Sequence, residues 1–236
     1  MDKSSDNRKK KPVIKINMAQ TLDGHTIEPG GKWSLGSRED KRRMDRLRMW
    51  ADCIIASRRS IENDDPNLFA RSKPDARQPR PVIILKNSNR KIPYPLKIFF
   101  QPHPVGEFWV YGDTPLSLEQ IIDFKSEADT NSSIANDIKK WKVYAFKNVK
   151  DIYNSLAERN FCKILLEGGP SLNGLFFQED LIDEIYFTIN PFLWGGETTD
   201  RIITTNETMP MQKFRLLNVD RRKDELFLRY KKIKRN

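Results

Sequence analysis

Residues 163–177 read KILLEGGPSLNGLFF, and this stretch predicts a strand, a turn of two glycines and a helix. The apolar run Ile164–Leu166 is too short for a helix and is typical of a strand buried on both faces. Pro170 suits the first turn of a helix, because its missing N–H would have no partner there anyway. The helical spacing of three later apolar residues predicts a buried helix face: Leu172, Leu175 and Phe176.

The two glycines before this helix, Gly168 and Gly169, predict a place where another molecule can approach the backbone. Without Cβ atoms they leave main-chain N–H groups accessible at the positive end of the helix dipole, where a phosphate or pyrophosphate fits. We also expect Gly169 to have a positive φ. The alternative is a tight strand-to-helix turn that binds nothing, and a Gly-Gly pair alone does not decide between the two.

The charge of the 236-residue chain lies mainly at its ends. Of the formal net charge of +10, residues 1–12 contribute +3 and residues 221–236 contribute +6, which leaves about +1 for residues 13–220. A nucleic-acid-binding protein more often carries a basic stripe across its folded face. We therefore interpret the basic ends as solvated tails, with a module that binds RNA or acidic partners as the alternative.

Two features of the sequence predict a cytoplasmic protein. The apolar runs are only strand length, and the charged N-terminus MDKSSDNRKKKP lacks the apolar segment of a secretory signal. The cysteines, Cys53 and Cys162, lie beside apolar runs and are interpreted as reduced thiols rather than as a disulfide or a nucleophile.

The rest of the chain predicts an α/β fold with βαβ units first and a β-hairpin last. Ser37 is the expected N-cap of a helix that reaches about Trp50, a short helix is expected within residues 57–64, and Asp151–Arg159 is predicted as an amphipathic helix. Ser126–Asp137 has few apolar residues and is predicted to be a mobile insertion. The other predicted strands are residues 13–19, 53–56, 82–85, 108–111, 143–146, 184–190, 214–219 and 226–230.

This order predicts a mostly parallel central sheet flanked by helices, with a C-terminal antiparallel hairpin. We expect residues 1–12 to be a disordered basic tail and residues 13–233 to be a single domain. Asp23 is assigned to an Asp-Gly turn rather than to chemistry.

Several short motifs, each weak alone, occur together in one order along the chain. The ordered set resembles the reductase domain of the riboflavin-biosynthesis deaminase/reductase family and its stand-alone relatives, over about residues 12–232. The resemblance implies a dihydrofolate-reductase-like fold, NADPH as cofactor and a homodimer. It also implies hydride transfer to C1′ of a ribosylaminopyrimidine 5′-phosphate, which opens the sugar to a ribitylamino chain. The motifs are residues 19–24 (AQTLDG), Trp33, 47–48 (LR), 64–68 (DDPNL) with Arg71, 167–172 (EGGPSL), 181–184 (LIDE) and 191–195 (PFLWG).

The sequence predicts that this chain cannot carry out the deamination of the bifunctional protein by its zinc-dependent route. That activity needs a zinc site with H-x-E and P-C-x-x-C patterns. The histidines of this chain are His25 and His103, neither followed by the required glutamate, and its two cysteines lie far apart. We expect no metal site.

The resemblance also implies which residues contact the cofactor. A hydride carrier needs a protein that holds it against the substrate and excludes water. Arg90 is a candidate for the adenosine 2′-phosphate, because a guanidinium matches a phosphate; the alternative is a solvated turn arginine. The other implied cofactor residues are Ala19, Trp33, Ser60, Asp64, Asn87, Gly168, Gly169, Pro170, Ser171 and Leu172.

The implied substrate residues are Arg48, Leu68, Arg71 and Glu167. Arg48 and Arg71 match phosphate and pyrimidine contacts, although surface ion pairs are the alternative. Asp64 and Glu167 are the candidate catalytic carboxylates, with Asp64 favoured to assist ring opening; as alternatives, water supplies the proton or Asp64 is an ordinary turn aspartate.

Three departures from the family pattern leave the substrate open. Gly31 replaces a serine, Asn17 replaces a lysine on the first strand, and Arg58-Arg59 replaces small residues after the second strand. The two arginines either bind phosphate or block the usual cofactor position. A related reductase acting on another pterin- or pyrimidine-like compound is therefore a second hypothesis.

Overall fold

One large sheet organises the computed structural model, which describes residues 11–27, 36–86, 90–100, 104–196 and 201–233. The tail predicted for residues 1–12 lies almost wholly outside the described residues. The strands are β1 (Val13–Gln20), β2 (Cys53–Ser57), β3 (Arg80–Leu85), β4 (Ile92–Pro93), β5 (Glu107–Tyr111), β6 (Ile122–Asp123), β7 (Lys142–Phe146), β8 (Lys163–Gly168), β9 (Glu184–Ile189), β10 (Phe214–Arg222) and β11 (Glu225–Lys232).

Helices cover both faces of this sheet. Ser37 caps the first helix as predicted, because its side chain accepts a hydrogen bond from the Asp40 N–H. Within the described residues, no helix is long and apolar enough to cross a membrane. The helices are α1 (Arg38–Trp50), α2 (Arg58–Asp64), α3 (Leu118–Ile121), α4 (Glu127–Thr130), α5 (Ser133–Ile138), α6 (Val149–Glu158) and α7 (Pro170–Gln178), with a 3₁₀ turn at Lys97–Phe100.

The described strands of the large sheet follow the order β10-β11-β9-β1-β8-β2-β3-β5-β7, and β4 pairs with β6 separately. From β9 to β7 every neighbouring pair is parallel, whereas β11 is antiparallel to both β9 and β10. The mostly parallel sheet with a C-terminal antiparallel hairpin confirms the predicted architecture. Parallel strands place their carboxyl ends along one edge, and this edge carries the candidate site.

Alternate residues of the central strands pack into two separate cores. On β2, Ile54 packs with helices α1 and α2, whereas its neighbour Ile55 packs with α6 and α7. Both isoleucines are fully buried. This burial on both faces explains why the central strands read as continuous apolar runs rather than as alternating patterns.

The prediction of a mobile insertion at Ser126–Asp137 is corrected, because α4 and α5 lie there. Ser132 caps α5 by accepting a hydrogen bond from the Ala135 N–H, and Ala135 and Ile138 are buried. Two apolar residues at the spacing of one helical turn are enough to dock a helix this short. The low apolar content of the segment concealed them.

Asp23 serves a turn, as predicted, and also fixes a distant loop. Its carboxylate accepts hydrogen bonds from the Thr21 hydroxyl and from the N–H groups of Trp194 and Gly195. The Thr21 bond, together with those from the backbone, lowers the pKa of Asp23 below its ordinary range. Cys53 and Cys162 are free thiols, as predicted.

A buried charged cluster lies at the amino ends of the parallel strands. Glu107, the first residue of β5, is fully buried. Its Oε1 accepts from Arg159 at 2.6 Å and from Arg80 at 3.0 Å, and its Oε2 accepts from the Trp109 indole at 3.0 Å. Burial alone would raise the pKa of Glu107, but these hydrogen bonds outweigh burial and lower it.

Candidate active site

A cleft of about 1610 Å³ opens at the carboxyl ends of β1, β2, β3, β5, β7 and β8. Ligands of open α/β sheets bind at this edge, in the crevice formed where strand order changes direction. Here β8 returns from the far edge of the sheet to lie between β1 and β2. The turn after β8 therefore lies in the middle of the cleft.

The structure brings most of the predicted site residues to this one cleft. Gly168 is buried behind the turn, and Arg71 lines a smaller adjoining cavity of about 510 Å³. Trp33 and Asn87 lie outside the described residues, as does Gly31. Predicted residues that line the cleft are Ala19, Arg48, Ser60, Asp64, Leu68, Arg90, Glu167, Gly169, Pro170, Ser171 and Leu172.

The turn between β8 and α7 has the predicted form of strand, two glycines and helix. Pro170 is the first residue of α7, and Gly169 is its N-cap, which makes no side-chain capping hydrogen bond. The expectation of a positive φ at Gly169 is wrong: its φ is −56°, and Gly168 has the positive φ of +58°. The Gly168–Gly169 peptide bond is cis.

The two positions differ in whether the fold requires glycine there. A Cβ on Gly168 would collide with the Asn173 side chain, and its φ lies where residues with side chains are strained. A Cβ on Gly169 would lie 3.3 Å from Ser60 Oγ, which is close but needs only a small shift. Gly168 is therefore required by the fold, whereas Gly169 is a glycine that the fold itself does not demand.

Ser60, in the first turn of α2, holds the turn between β8 and α7. Its hydroxyl donates to the Gly168 carbonyl at 2.9 Å and accepts from the Gly169 N–H at 3.1 Å. Ser57, the N-cap of α2, lies 2.9 Å from Ser60 through their two hydroxyl oxygens. The one hydroxyl proton of Ser60 is thus used within the protein, so Ser60 positions the glycine turn.

Arg48 and Glu167, predicted separately, form one buried ion pair. Arg48 Nε and Nη2 each donate to a different oxygen of Glu167 at 2.8 Å, and Nη1 donates to the Phe69 carbonyl at 3.2 Å. The two side chains are only 7% and 8% exposed. Burial alone would lower the pKa of Arg48, but the charge and hydrogen bonds of Glu167 outweigh burial and raise it. This bidentate geometry fixes both groups at the cleft wall.

Asp64 is the last residue of α2 and lies at the mouth of the cleft. The protein around it removes enough hydration to raise the pKa of its carboxyl above the ordinary value. A raised pKa keeps more of the carboxyl protonated near neutral pH. Asp64 is therefore better suited to donate a proton than an ordinary surface aspartate.

Two further polar residues of the cleft wall were missed as site candidates. Asp40 is buried and accepts hydrogen bonds from Thr188 at 2.7 Å and from Arg43 at 3.2 Å. Asn17 is 5% exposed, and its Oδ1 has no hydrogen-bond partner in the described structure. The sequence showed Asp40 only as a first-turn helix acid and Asn17 only as a departure from the family pattern.

The orphaned Asn17 oxygen indicates a ligand at this wall. Among the described residues, the partner of its amide nitrogen is the Met44 sulfur, at 3.8 Å. A buried acceptor without a donor destabilises the protein, and an N–H or O–H group of a bound molecule would satisfy it. In the β1–β8 pairing Ile16 lies opposite Leu166, and Asn17 and Glu167 are the residues that follow this pair.

The site lies at the carboxyl edge of a parallel sheet. It combines a buried carboxylate–arginine pair with a helix that starts at a glycine, an arrangement typical of ligand-binding α/β proteins. The chain belongs to the family of the RibD C-terminal domain, whose model matches residues 12–228.

Two relatives show what the family contains. The 2,5-diamino-6-ribosylamino-4(3H)-pyrimidinone 5′-phosphate reductase of Methanothermobacter thermautotrophicus is 26% identical over 197 residues, covering 82% of this chain and 84% of the relative. The riboflavin biosynthesis protein RibD of Aquifex aeolicus is 26% identical over 190 residues, covering 78% of this chain and 48% of that protein. The chain thus spans about half the length of this RibD relative. Because these relatives are named as reductases, the comparison supports the interpretation of this chain as an oxidoreductase.

A solved structure shares the fold of this chain. The deaminase/5-amino-6-(5-phosphoribosylamino)uracil reductase of Thermotoga maritima superposes with a TM-score of 0.70 at 17% identity. The match covers 94% of this chain and 57% of the Thermotoga protein. At this identity the likeness establishes the fold alone.

Proposed function

We propose that this chain is an NADPH-dependent reductase that converts a ribosylaminopyrimidine 5′-phosphate to its ribitylamino product in riboflavin biosynthesis. The observation that carries the proposal is the convergence of the implied cofactor and substrate residues on one cleft. Eleven of these residues, scattered between Ala19 and Leu172 in the sequence, line the same carboxyl edge of the sheet. The archaeal reductase relative, matched over 84% of its length, supports the same substrate class.

The residues present fit a dinucleotide. The N–H groups of Ser171 and Leu172 would hold the pyrophosphate, because the N-cap of the nine-residue helix α7 has no side chain of its own to satisfy the helix start, and Gly169 would let the pyrophosphate come close. When bound, NADPH supplies a hydride. The nearby Asn17 oxygen, buried and without a partner, offers an acceptor for a nicotinamide or substrate N–H group.

The substrate half of the proposal rests on the Arg48–Glu167 pair and Asp64. In the net reaction the C1′–O4′ bond breaks, a C1′–H bond forms and O4′ gains a proton. Asp64, with its raised pKa, is the proposed donor of that proton. Glu167 and Arg48 orient the substrate from the wall, and Arg71, in the adjoining cavity, is proposed to contact its phosphate.

The test is NADPH oxidation by the purified protein with two phosphoribosylamino substrates, one carrying a 2-amino and one a 2-oxo pyrimidine. We expect turnover with at least one of them, with the ribitylamino compound as product. Absence of turnover with both, from a protein that melts cooperatively and binds NADPH, would favour the second hypothesis of a different pterin- or pyrimidine-like substrate.

We further propose a cytoplasmic homodimer whose residues 13–233 form one domain. The described residues of the edge strand β10 expose apolar side chains, among them Leu216, Leu217 and Val219, which are 44–53% exposed. Contiguous exposed apolar surface is typical of interfaces. Sedimentation should give twice the monomer mass, and Val219→Glu should shift it towards monomer. A monomeric wild-type protein would contradict this assignment.

A further inference from the structure

Residues 201–213, here called the strap, belong to the connection from β9 to β10 and lie against helix α7. The Thr204 N–H donates to the Pro170 carbonyl at 3.0 Å, and the Ile202 carbonyl accepts from Asn173 Nδ2 at 2.9 Å. Pro170 and Asn173 are three residues apart, which puts them on the same face of the helix. The strap is therefore docked on one face of α7, beginning at its first turn.

A glycine inside α7 makes this docking possible. Gly174 lies in the middle of the helix, where glycine is less favourable than alanine. A Cβ at this position would collide with the carbonyl oxygen of Thr204. The glycine thus serves the close approach of the strap rather than the formation of the helix.

The docked strap brings one threonine to the cleft. Thr204 lines the cleft, whereas the other described residues that line it lie between Asn17 and Glu179 in the chain. Both backbone polar groups of Thr204 lie against α7, since its N–H is bonded to Pro170 and its carbonyl oxygen is close to Gly174. Thr204 is nevertheless exposed, so the part of it that is open to the cleft is the side chain.

The region beside the strap also carries an independent sign of a ligand. Asn173 Nδ2, which holds the strap, lies 3.4 Å from Met18 Sδ. Met18 and its neighbour Asn17 both line the cleft, and Asn17 Oδ1 is buried without a partner among the described residues. The strap, the start of α7 and the end of β1 therefore border one region in which a bound molecule is indicated.

We propose that the Thr204 hydroxyl binds the pyrophosphate of the dinucleotide cofactor, and that Gly174 is the positioning residue that lets the strap reach it; this inference rests on the proposed function. The N–H groups of Ser171 and Leu172, proposed above to hold the pyrophosphate, follow directly after Pro170, whose carbonyl holds Thr204. A threonine hydroxyl rotates to suit its partner, and its hydrogen bond to a charged phosphate oxygen is stronger than one to a neutral acceptor.

The experiment measures calorimetric affinities of NADPH, 2′-phospho-ADP-ribose and 2′-AMP for the wild type and for Thr204→Val, which keeps the shape of threonine without its hydroxyl. The variant should weaken the first two ligands, which contain the pyrophosphate, by about 10- to 100-fold, the range of a hydrogen bond to a charged group. The affinity for 2′-AMP, which has no pyrophosphate, should stay within about twofold.

Two threonine variants serve as controls. Thr204→Ser keeps the hydroxyl and should restore most of the NADPH affinity. Thr205→Val is the matched control, because the Thr205 hydroxyl donates to the Glu207 carbonyl within the strap and Thr205 does not line the cleft. It should leave all three affinities unchanged.

Gly174→Ala tests the positioning role. Its Cβ should push the strap away from α7 and weaken NADPH and 2′-phospho-ADP-ribose, although alanine favours the helix itself. Adding Thr204→Val to Gly174→Ala should then cost little more, because the hydroxyl has already been displaced. Independent, multiplying losses from the two substitutions would contradict the assignment of Gly174.

The outcomes separate this inference from the proposed function. If Thr204→Val keeps the wild-type affinity for NADPH, the inference is overturned and the reductase proposal stands. If 2′-AMP is weakened equally, or if the affinity for the phosphorylated substrate falls instead, the hydroxyl does not serve the pyrophosphate and the inference is also overturned. If the wild type does not bind NADPH, both proposals fail.

Discussion

Two buried carboxylates of this protein, Glu107 and Glu167, each pair with arginine, at opposite ends of the same parallel sheet. Glu107, at the amino end of β5, is enclosed by Arg80, Arg159 and Trp109 and is fully buried. Glu167, at the carboxyl end of β8, is held by one arginine and lines the cleft. The two clusters have similar chemistry but lie in different places. Glu107 does not line the cleft and stabilises the fold, whereas Glu167 lines the cleft and can contact a ligand.

The largest effect expected from this comparison is on stability. Glu107→Ala would remove the buried carboxylate shared by Arg80 and Arg159, whose side chains are 29% and 27% exposed, at a cost of about 3 kcal/mol in the free energy of unfolding, the low end for a broken buried pair. Urea titration of the variant measures the loss. Activity per folded molecule should be unchanged; a stable variant with lowered activity would contradict the structural role.

At the cleft, the next largest effect is expected from Gly169→Val. The side chain would occupy the position proposed for the pyrophosphate, and NADPH affinity should fall by more than about 100-fold, equivalent to about 2.7 kcal/mol. Because φ at Gly169 is −56°, the variant should melt near the wild-type temperature.

Gly168→Ala is the matched comparison for that variant. It meets the Asn173 side chain at a positive φ and should destabilise the fold itself. Near-native NADPH affinity in Gly169→Val would show that the two glycines form only a turn.

Glu167→Gln tests the open carboxylate directly. The amide keeps the shape but loses the charge opposite Arg48, so kcat/KM should fall by about 10- to 100-fold, the range of a charge-assisted contact. Its loss of stability should be smaller than that of Glu107→Ala, because the amide oxygen can still accept a hydrogen bond from Arg48, whereas alanine leaves no acceptor at all. If Glu167→Gln lost as much stability as Glu107→Ala and kept its kcat/KM, the proposed difference between the two carboxylates would be wrong.

The smallest expected effect is the pH dependence of stability. The pKa of Glu107 is lowered in the folded protein, so its contribution is present above its ordinary value of 4.5 and is lost as pH falls. The pKa of Asp64 is raised, so its contribution is present below 3.8 and is lost as pH rises. Asp64→Asn should therefore be at least as stable as the wild type at pH 7, as melting curves at pH 3.5 and 7 would show. A variant less stable at pH 7 than at pH 3.5, relative to the wild type, would contradict the assigned direction.

The sequence was sufficient where the signal is local. Ser37 marks a helix start, Pro170 marks another, and apolar runs such as Ile164–Leu166 mark buried strands, because capping and burial act on neighbouring residues. Helices α4 and α5 were not predicted, because two buried residues in a polar stretch give little hydrophobic periodicity.

The site was predictable as a set of residues but not as an arrangement. Arg48 and Glu167 are 119 residues apart, and no local pattern indicates that they neutralise each other. The same holds for Ser60, whose hydroxyl serves Gly168 and Gly169 across 108 and 109 residues. Such long-range contacts follow from the insertion of β8 between β1 and β2, a property of topology rather than of local sequence.

The Ser60 contacts have a consequence for the thermodynamics of binding. They fix the glycine turn from behind, through hydrogen bonds made before any ligand arrives, so the turn does not have to be ordered at the moment of association. Preorganised backbone of this kind reduces the conformational entropy lost on binding and leaves more of the contact energy as affinity. The entropy of association should therefore become more unfavourable when Ser60 is replaced by alanine, even though its hydroxyl proton is directed at the protein's own backbone.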